Sequence, residues 1–322
     1  MDYLLLIVGF IIIVKASDIL IDATSNLAQR MKIPKILIAL TIVAFGTCAP
    51  EFAISFNSIA SNNSSLALAN VIGSVIVNTF LVIGLAAIVN PIVVKNSTVK
   101  KELPILTFIT LAFVCLSLDK LFNNTKQNVL TRSDGIVLLI LFSIFIIYIV
   151  KMVRRSKRDG EELKQETKMK KIFSITKSIV LTIISIILII YSSDLIVDSA
   201  LKIAKSLNVS EKIVTLIGVV IGTSLPELVM TITSAKKSEF EMAIGNIIGT
   251  NIFNICVVLG LPITIYGKLE IVDFNCIDMI FVFLASFLLY IFAKSEKKVN
   301  KKEGRIMLLL FIIYYTYVLF IG

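Results

Sequence analysis

Apolar residues come in long runs along this chain, Tyr3–Val14, Ile136–Val150, Ile179–Tyr191 and Met307–Ile321 among them, separated by short stretches rich in Lys, Asn, Gly and Pro. An α-helix needs about 20 apolar residues to cross a bilayer, because backbone groups in hydrocarbon must be paired within the segment itself. With the polar clusters taken as breaks, the pattern predicts ten spans, near residues 3–28, 33–60, 66–89, 104–118, 135–151, 173–204, 210–236, 241–264, 274–293 and 306–321. The expected fold is an all-α integral membrane protein. Met1 and Asp2 lead straight into the first run, with no basic segment before it and no small-residue cleavage site, so that run is read as a span rather than a leader.

The pattern also repeats. A shift of 176 residues aligns SDILID at Ser17–Asp22 with SDLIVD at Ser193–Asp198, and GTCAPE at Gly46–Glu51 with GTSLPE at Gly222–Glu227. The same shift superposes Asn70, Gly73, Asn78 and Gly84 on Asn246, Gly249, Asn254 and Gly260 without a gap. Identity held at one fixed period marks a duplication. Each unit carries five predicted spans, an odd number, so the second unit must enter the membrane from the opposite side. Two inverted five-helix repeats follow, 1–151 and 173–322, joined by a basic linker at 152–172.

Charge orients this arrangement. The chain is 57% hydrophobic and carries a net charge of +10. If the N-terminus lies outside, 23 of the 32 Lys and Arg residues fall in inside loops and seven in outside loops. The positive-inside bias thus predicts both termini outside a cell membrane and the linker in the cytoplasm, solvated rather than bound to lipid. Basic residues clustered between apolar runs point to the bilayer as partner and away from nucleic acid. There is no His, and the four cysteines form no CxxC pair, which leaves little for zinc or disulfide chemistry. No cofactor is expected. No serine–histidine pair or GxGD-type aspartate motif supports intramembrane proteolysis, so no enzyme is expected either.

Glu51 and Glu227 sit inside predicted spans, where a charge costs at least about 2.5–3.5 kcal/mol on insertion scales and therefore faces a cavity or pathway. Pro50 and Pro226 precede them. Lacking an N–H, each proline deprives a carbonyl four residues back, that of Gly46 or Gly222, of its helical partner. Thr47 and Thr223 adjoin those glycines. Asn78 and Asn254 fall near the middles of the following spans, and Ser74 and Thr250, four residues earlier, share their helix face. All these groups offer oxygen, which suits Ca2+ or Na+ rather than zinc or copper. Two carboxylates balance one Ca2+ or two Na+, so one cage can hold either ion in turn.

With its paired GT-x-x-PE segments, each followed by an N-IG element and a downstream Asn, the sequence resembles the cation/Ca2+ exchanger superfamily, in its prokaryotic sodium/calcium exchanger branch. The likeness is sharpest over 46–84 and 222–260. It implies a secondary antiporter exchanging Ca2+ for Na+ by alternating access, functional as a monomer, with a H+-coupled cation exchanger as the alternative. It further implies that Glu51 and Glu227 bind both ions, helped by Thr47, Thr223, Ser74, Thr250, Asn78, Asn254 and Ser224 and by backbone carbonyls at Ala44, Thr47, Val220 and Thr223. The first and sixth spans are then expected to slide across a fixed core of the other eight. Two positions depart from the usual pattern: Cys48 replaces a hydroxyl, and Asn254 stands where many sodium-coupled relatives carry Asp. Asp18, Asp22, Asp194 and Asp198 are read as helix contacts or gate-stabilising groups rather than ion ligands.

Overall fold

The computed structural model describes residues 2–61, 63–118, 127–158, 173–206, 222–271 and 274–320. Helices dominate. In chain order they are α1 (Asp2–Met31), α2 (Lys35–Thr47), α3 (Ala49–Ala60), α4 (Ser64–Val89), α5 (Asn96–Lys100), α6 (Glu102–Leu116), α7 (Arg132–Arg158), α8 (Ile175–Ser206), α9 (Leu225–Lys236), α10 (Phe240–Tyr266), α11 (Cys276–Glu296) and α12 (Lys301–Phe320). Among the described residues, seven are long and apolar enough to cross a membrane: α1, α4, α7, α8, α10, α11 and α12. An eighth span arises if α2 and α3, bent by 50° at Cys48, are taken together. The other two predicted spans are met only partly. At 104–118 the helix α6 runs 15 residues, and the first part of 210–236 lies outside the described residues, as does most of the linker.

Burial sorts the helices into a centre and a rim. In α4 and α10, 83% and 78% of the apolar window is buried, against 33% in α1 and in α8, 22% in α12 and 17% in α7. The lipid-facing helices expose residues such as Ile7, Ile144, Ile187 and Leu309, as expected of helices with an apolar solvent on one side. The outer helices α1 and α8 pack along each other. Close approach at the centre depends on glycine. A Cβ at Gly249 of α10 would lie 2.6 Å from the Leu40 carbonyl oxygen and 2.8 Å from the Ala44 Cβ of α2, so any larger residue would push these helices apart.

Two small antiparallel sheets escaped the sequence reading. Strand β1 (Ile92–Val93) pairs with β4 (Lys298–Val299), and β2 (Asn128–Thr131) with β3 (Lys268–Ile271). Each ties a connection of the first repeat to one of the second. Their side chains alternate too briefly to show a period of two in sequence.

Ion pairs fasten the helix ends. Lys35 at the start of α2 meets Glu239 at 2.6 Å with both side chains largely buried. Lys237, just past α9, reaches Asp18 at 3.3 Å and Asp22 at 2.8 Å on α1 and donates to the Asp18 carbonyl at 2.8 Å. Asp18 and Asp22 are therefore helix contacts, in line with their expected role. The position that matches Lys237 in the first repeat is Ser61, so Asp194 and Asp198 on α8 face no equivalent lysine there.

Candidate ion-binding site

The site is built on broken helices. Cys48 (φ −77°, ψ 4°) and Ser224 (φ −84°, ψ 5°) adopt nearly the same non-helical conformation immediately before α3 and α9. Pro50 and Pro226 occupy the first turns beyond these breaks, where the missing N–H costs α3 and α9 no hydrogen bond of their own and the groups left without a helical donor are the Gly46 and Gly222 carbonyls before the break. Glu51 and Glu227 fall in the same first turns, at the end of the helix where the unpaired N–H groups favour negative charge.

A second irregularity faces them. The central helices α4 and α10 each loosen into a π-helical turn, at Val77–Ile83 and at Asn254–Leu259. Asn78 and Asn254 lie at the starts of these turns, where the ladder widens and backbone groups shift partners. Packing crosses between the repeats: α3, which carries Glu51, lies against the Asn254 turn, and α9, which carries Glu227, lies against the Asn78 turn. Hydrophobic pattern alone gives no sign of a π-turn, because an i→i+5 bond leaves the apolar composition unchanged.

Side chains complete the arrangement. Glu51, Glu227, Ser74, Asn78, Thr250 and Asn254 have no exposed surface, and Thr47, Thr223, Ser224 and Ala44 are also buried. Thr223 lies beside Glu51 and Thr47 beside Glu227, so each carboxylate has the threonine of the other repeat for a neighbour. Nevertheless both oxygens of Glu51 and of Glu227 lack a hydrogen-bond partner of normal geometry. So do Ser74 Oγ, Asn78 Oδ1, Ser224 Oγ, Thr250 Oγ1 and both polar atoms of the Asn254 amide. Buried polar atoms are nearly always paired, and each one left unmatched costs about 1–3 kcal/mol. Drawn from both halves of the chain, on helices that pack against one another, these oxygens are of the kind a dehydrated hard cation requires. Among the described residues no group of three or more His, Cys, Asp or Glu forms a metal cluster, so any cation here depends on mixed oxygens and not on acids alone.

Several polar groups hold the scaffold instead. Asn70 donates from Nδ2 to the Glu51 carbonyl and to Ser55 Oγ, each at 2.9 Å, and accepts from Thr223 Oγ1 at 3.4 Å. Asn246 donates to Thr231 at 3.4 Å, and Thr231 is the residue that matches Ser55 at the 176-residue shift. Asn251 was not singled out by sequence. It accepts from Asn78 Nδ2 at 3.4 Å and donates to Thr79 Oγ1 at 2.9 Å, which turns the Asn78 carbonyl toward unpaired space. The Ala44 carbonyl accepts from the Cys48 N–H at 3.1 Å and from Thr47 Oγ1 at 3.2 Å, so an ion can use it only by displacing one of them. Val220, the corresponding carbonyl of the second repeat, lies outside the described residues.

Cys48 is fully buried, beside Thr250 and within electrostatic reach of both carboxylates. Cys256 is equally buried but belongs to the apolar core. Any reaction of Cys48 with a small membrane-permeant thiol reagent depends on access through the polar site, so Ca2+ or Na+ filling that site is expected to slow it, whereas labelling of Cys256 in the apolar core is expected to be indifferent to either ion. Equal, ion-insensitive labelling of the two by mass spectrometry would place Cys48 away from the ion path.

Comparison with known proteins adds to this geometry. Residues 1–151 and 177–320 match the family described as sodium/calcium exchanger protein. The chain is 35% identical to the inner membrane protein YrbG of Escherichia coli (strain K12), over 80% of this chain and 78% of that protein. It is 26% identical to the sodium/calcium exchanger MaX1 of Methanosarcina acetivorans, covering 99% of this chain and 98% of its relative. A solved structure of the sodium-calcium exchanger NCX_Mj, soaked with Na+ and Ca2+, superposes with a TM-score of 0.81 at 29% identity, over 100% of this chain and 98% of that one.

Proposed function

The chain belongs to the sodium/calcium exchanger family, and from that premise we propose that it is a multi-pass membrane antiporter moving Ca2+ against Na+ through one buried site. The observation that carries this reading is the set of unpartnered oxygens on Glu51, Glu227, Ser74, Asn78, Ser224, Thr250 and Asn254. In this proposal Glu51 and Glu227 supply the charge. Thr47, Thr223, the two asparagines and the hydroxyls supply neutral oxygen, and the Ala44 and Val220 carbonyls join as the helix breaks adjust. One Ca2+ or two Na+ neutralise the two carboxylates, so neither loaded state leaves a large net charge in a medium of low dielectric.

The same reading takes the chain as ten spans in two inverted five-helix repeats, 1–151 and 173–322, with the basic 152–172 linker in the cytoplasm. Both termini lie outside the cell membrane, and one monomer is the transport unit. Exchange then requires the site to open to one side at a time, with α1 and α8 moving against the other helices. Coupling to Na+ is favoured over coupling to H+ by membership of the sodium/calcium exchanger family and by likeness to MaX1, which is named a sodium/calcium exchanger.

Radiolabelled Ca2+ uptake into proteoliposomes tests this directly. An outward Na+ gradient is expected to drive uptake well above the level without a gradient, while a pH gradient alone gives little. Uptake driven by the pH gradient and indifferent to Na+ would replace the Na+ reading with H+ coupling.

A further inference from the structure

Ser17 and Ser193 occupy matching positions on α1 and α8, 176 residues apart, and both are buried. Their bonding is not matched. Ser193 Oγ donates to the Gly222 carbonyl at 3.2 Å, whereas Ser17 Oγ has no hydrogen-bond partner. Gly222 is the residue whose carbonyl loses its helical donor to Pro226, and Gly46 stands in the same relation to Pro50. The sixth predicted span thus repairs the helix break of its own repeat, while the first span does not repair its counterpart. Packing is unequal in the same sense. The Ile186 side chain of α8 fills the space beside Gly46, but Phe10, which matches Ile186 on α1, is 45% exposed.

We propose that Ser17 and Ser193 are positioning residues for alternation, each supplying in turn the donor that proline removed from the broken helix of its own repeat. The proposal rests on the inverted-repeat exchange reading above. Alternating access moves one repeat or bundle against the other around a fixed site, and in the cycle proposed here the two repeats trade local structure as the site turns from one side to the other. The state described here has the second-repeat bond made and the first-repeat serine orphaned. The opposite state then has Ser17 bonded to the Gly46 carbonyl and Ser193 orphaned. Each state keeps one repaired break and one unsatisfied hydroxyl, so the swap itself is close to isoenergetic. Such balance suits a carrier that must return empty or loaded without falling into one state. A serine bond to a carbonyl at a helix break is also short and local, so it forms only when the sliding helix has reached its stop.

The test reads conformation rather than transport alone. With the exposed Cys115 and Cys276 replaced by Ser, spin labels at Tyr3→Cys on α1 and Lys268→Cys on β3 report the position of α1 against the rest of the protein. Ser193→Ala is expected to lower the population of the present state relative to its opposite, and Ser17→Ala to raise it, each by about two- to tenfold, the scale of one net hydrogen bond. The double variant is expected to return near the wild-type ratio, since the two effects have opposite sign. Shifts in the same direction, or no shift in either single variant, overturn the proposal, because a general loosening of packing would act alike on both. The underlying exchange reading fails separately: it falls if the unmodified protein shows no gradient-driven Ca2+ flux, whatever the serine variants do.

Discussion

Glu51→Gln and Glu227→Gln are each expected to lower Na+-driven Ca2+ flux by at least about 100-fold while leaving the protein folded in the bilayer. Glutamine keeps the shape and one oxygen but removes the charge. Removing one member of a buried charge pair costs about 3–5 kcal/mol, and every 1.4 kcal/mol is a factor of ten in binding. That cost falls on the ion-bound state, in which Ca2+ would face a single carboxylate. The ion-free protein is affected differently. Both Glu51 oxygens and both Glu227 oxygens are buried with no hydrogen bond of normal geometry, each carboxylate having only a neighbouring threonine beside it, so losing a charge there relieves more desolvation than it costs in bonding. Thermal unfolding in detergent is thus expected at or above the wild-type midpoint without Ca2+, and added Ca2+ is expected to raise the midpoint of the wild type but not of either variant. Flux above a tenth of the wild-type rate in either variant would remove that glutamate from the site.

Much of this site was legible because the membrane makes polarity conspicuous. Glu51 and Glu227 interrupt apolar runs, and their recurrence beside Pro50 and Pro226 leaves little room for chance. The long helices were equally visible, since α4, α7 and α10 each carry a window of high mean hydropathy long enough to cross a membrane. What stayed hidden depends on tertiary contacts. Asn251 matches Val75 at the repeat shift, so symmetry gave no reason to notice it, although its amide orients Asn78. The π-turns at Asn78 and Asn254 follow from packing rather than propensity. Helix α6 stops at Leu116, short of a full crossing by length alone, and the paired strands at 92–93 and 298–299 are too brief to carry a pattern. Ser17 and Ser193 lie in matching motifs, SDILID and SDLIVD, yet they bond differently. A repeat in the sequence specifies two equivalent parts, and only the structure says which of them is engaged.

Asn254→Leu is expected to reduce Ca2+ flux by about 10- to 100-fold, whereas Asn254→Asp is expected to retain it with altered coupling. Both polar atoms of the Asn254 amide are buried and unpartnered, on a π-turn packed against the helix that carries Glu51. An amide carbonyl can ligate a hard cation but cannot ionise. Leucine is close in size and removes one oxygen from an ion that wants about six to eight, leaving the cation to lose a ligand or to drag in a water. The loss corresponds to an unmade interaction with a charged group, about 1.5–3 kcal/mol, and so to the stated range. Aspartate preserves the oxygen and adds a formal charge. Three carboxylates around one Ca2+ leave a net negative charge that low dielectric does not tolerate, so an extra Na+ or proton must enter with it. The variant should then show Ca2+ flux that responds more steeply to Na+ concentration or to pH than the wild type does. Titrating flux against both in proteoliposomes separates the two. Wild-type flux in Asn254→Leu would make this residue a packing element and move the cation toward the Asn78 side of the site.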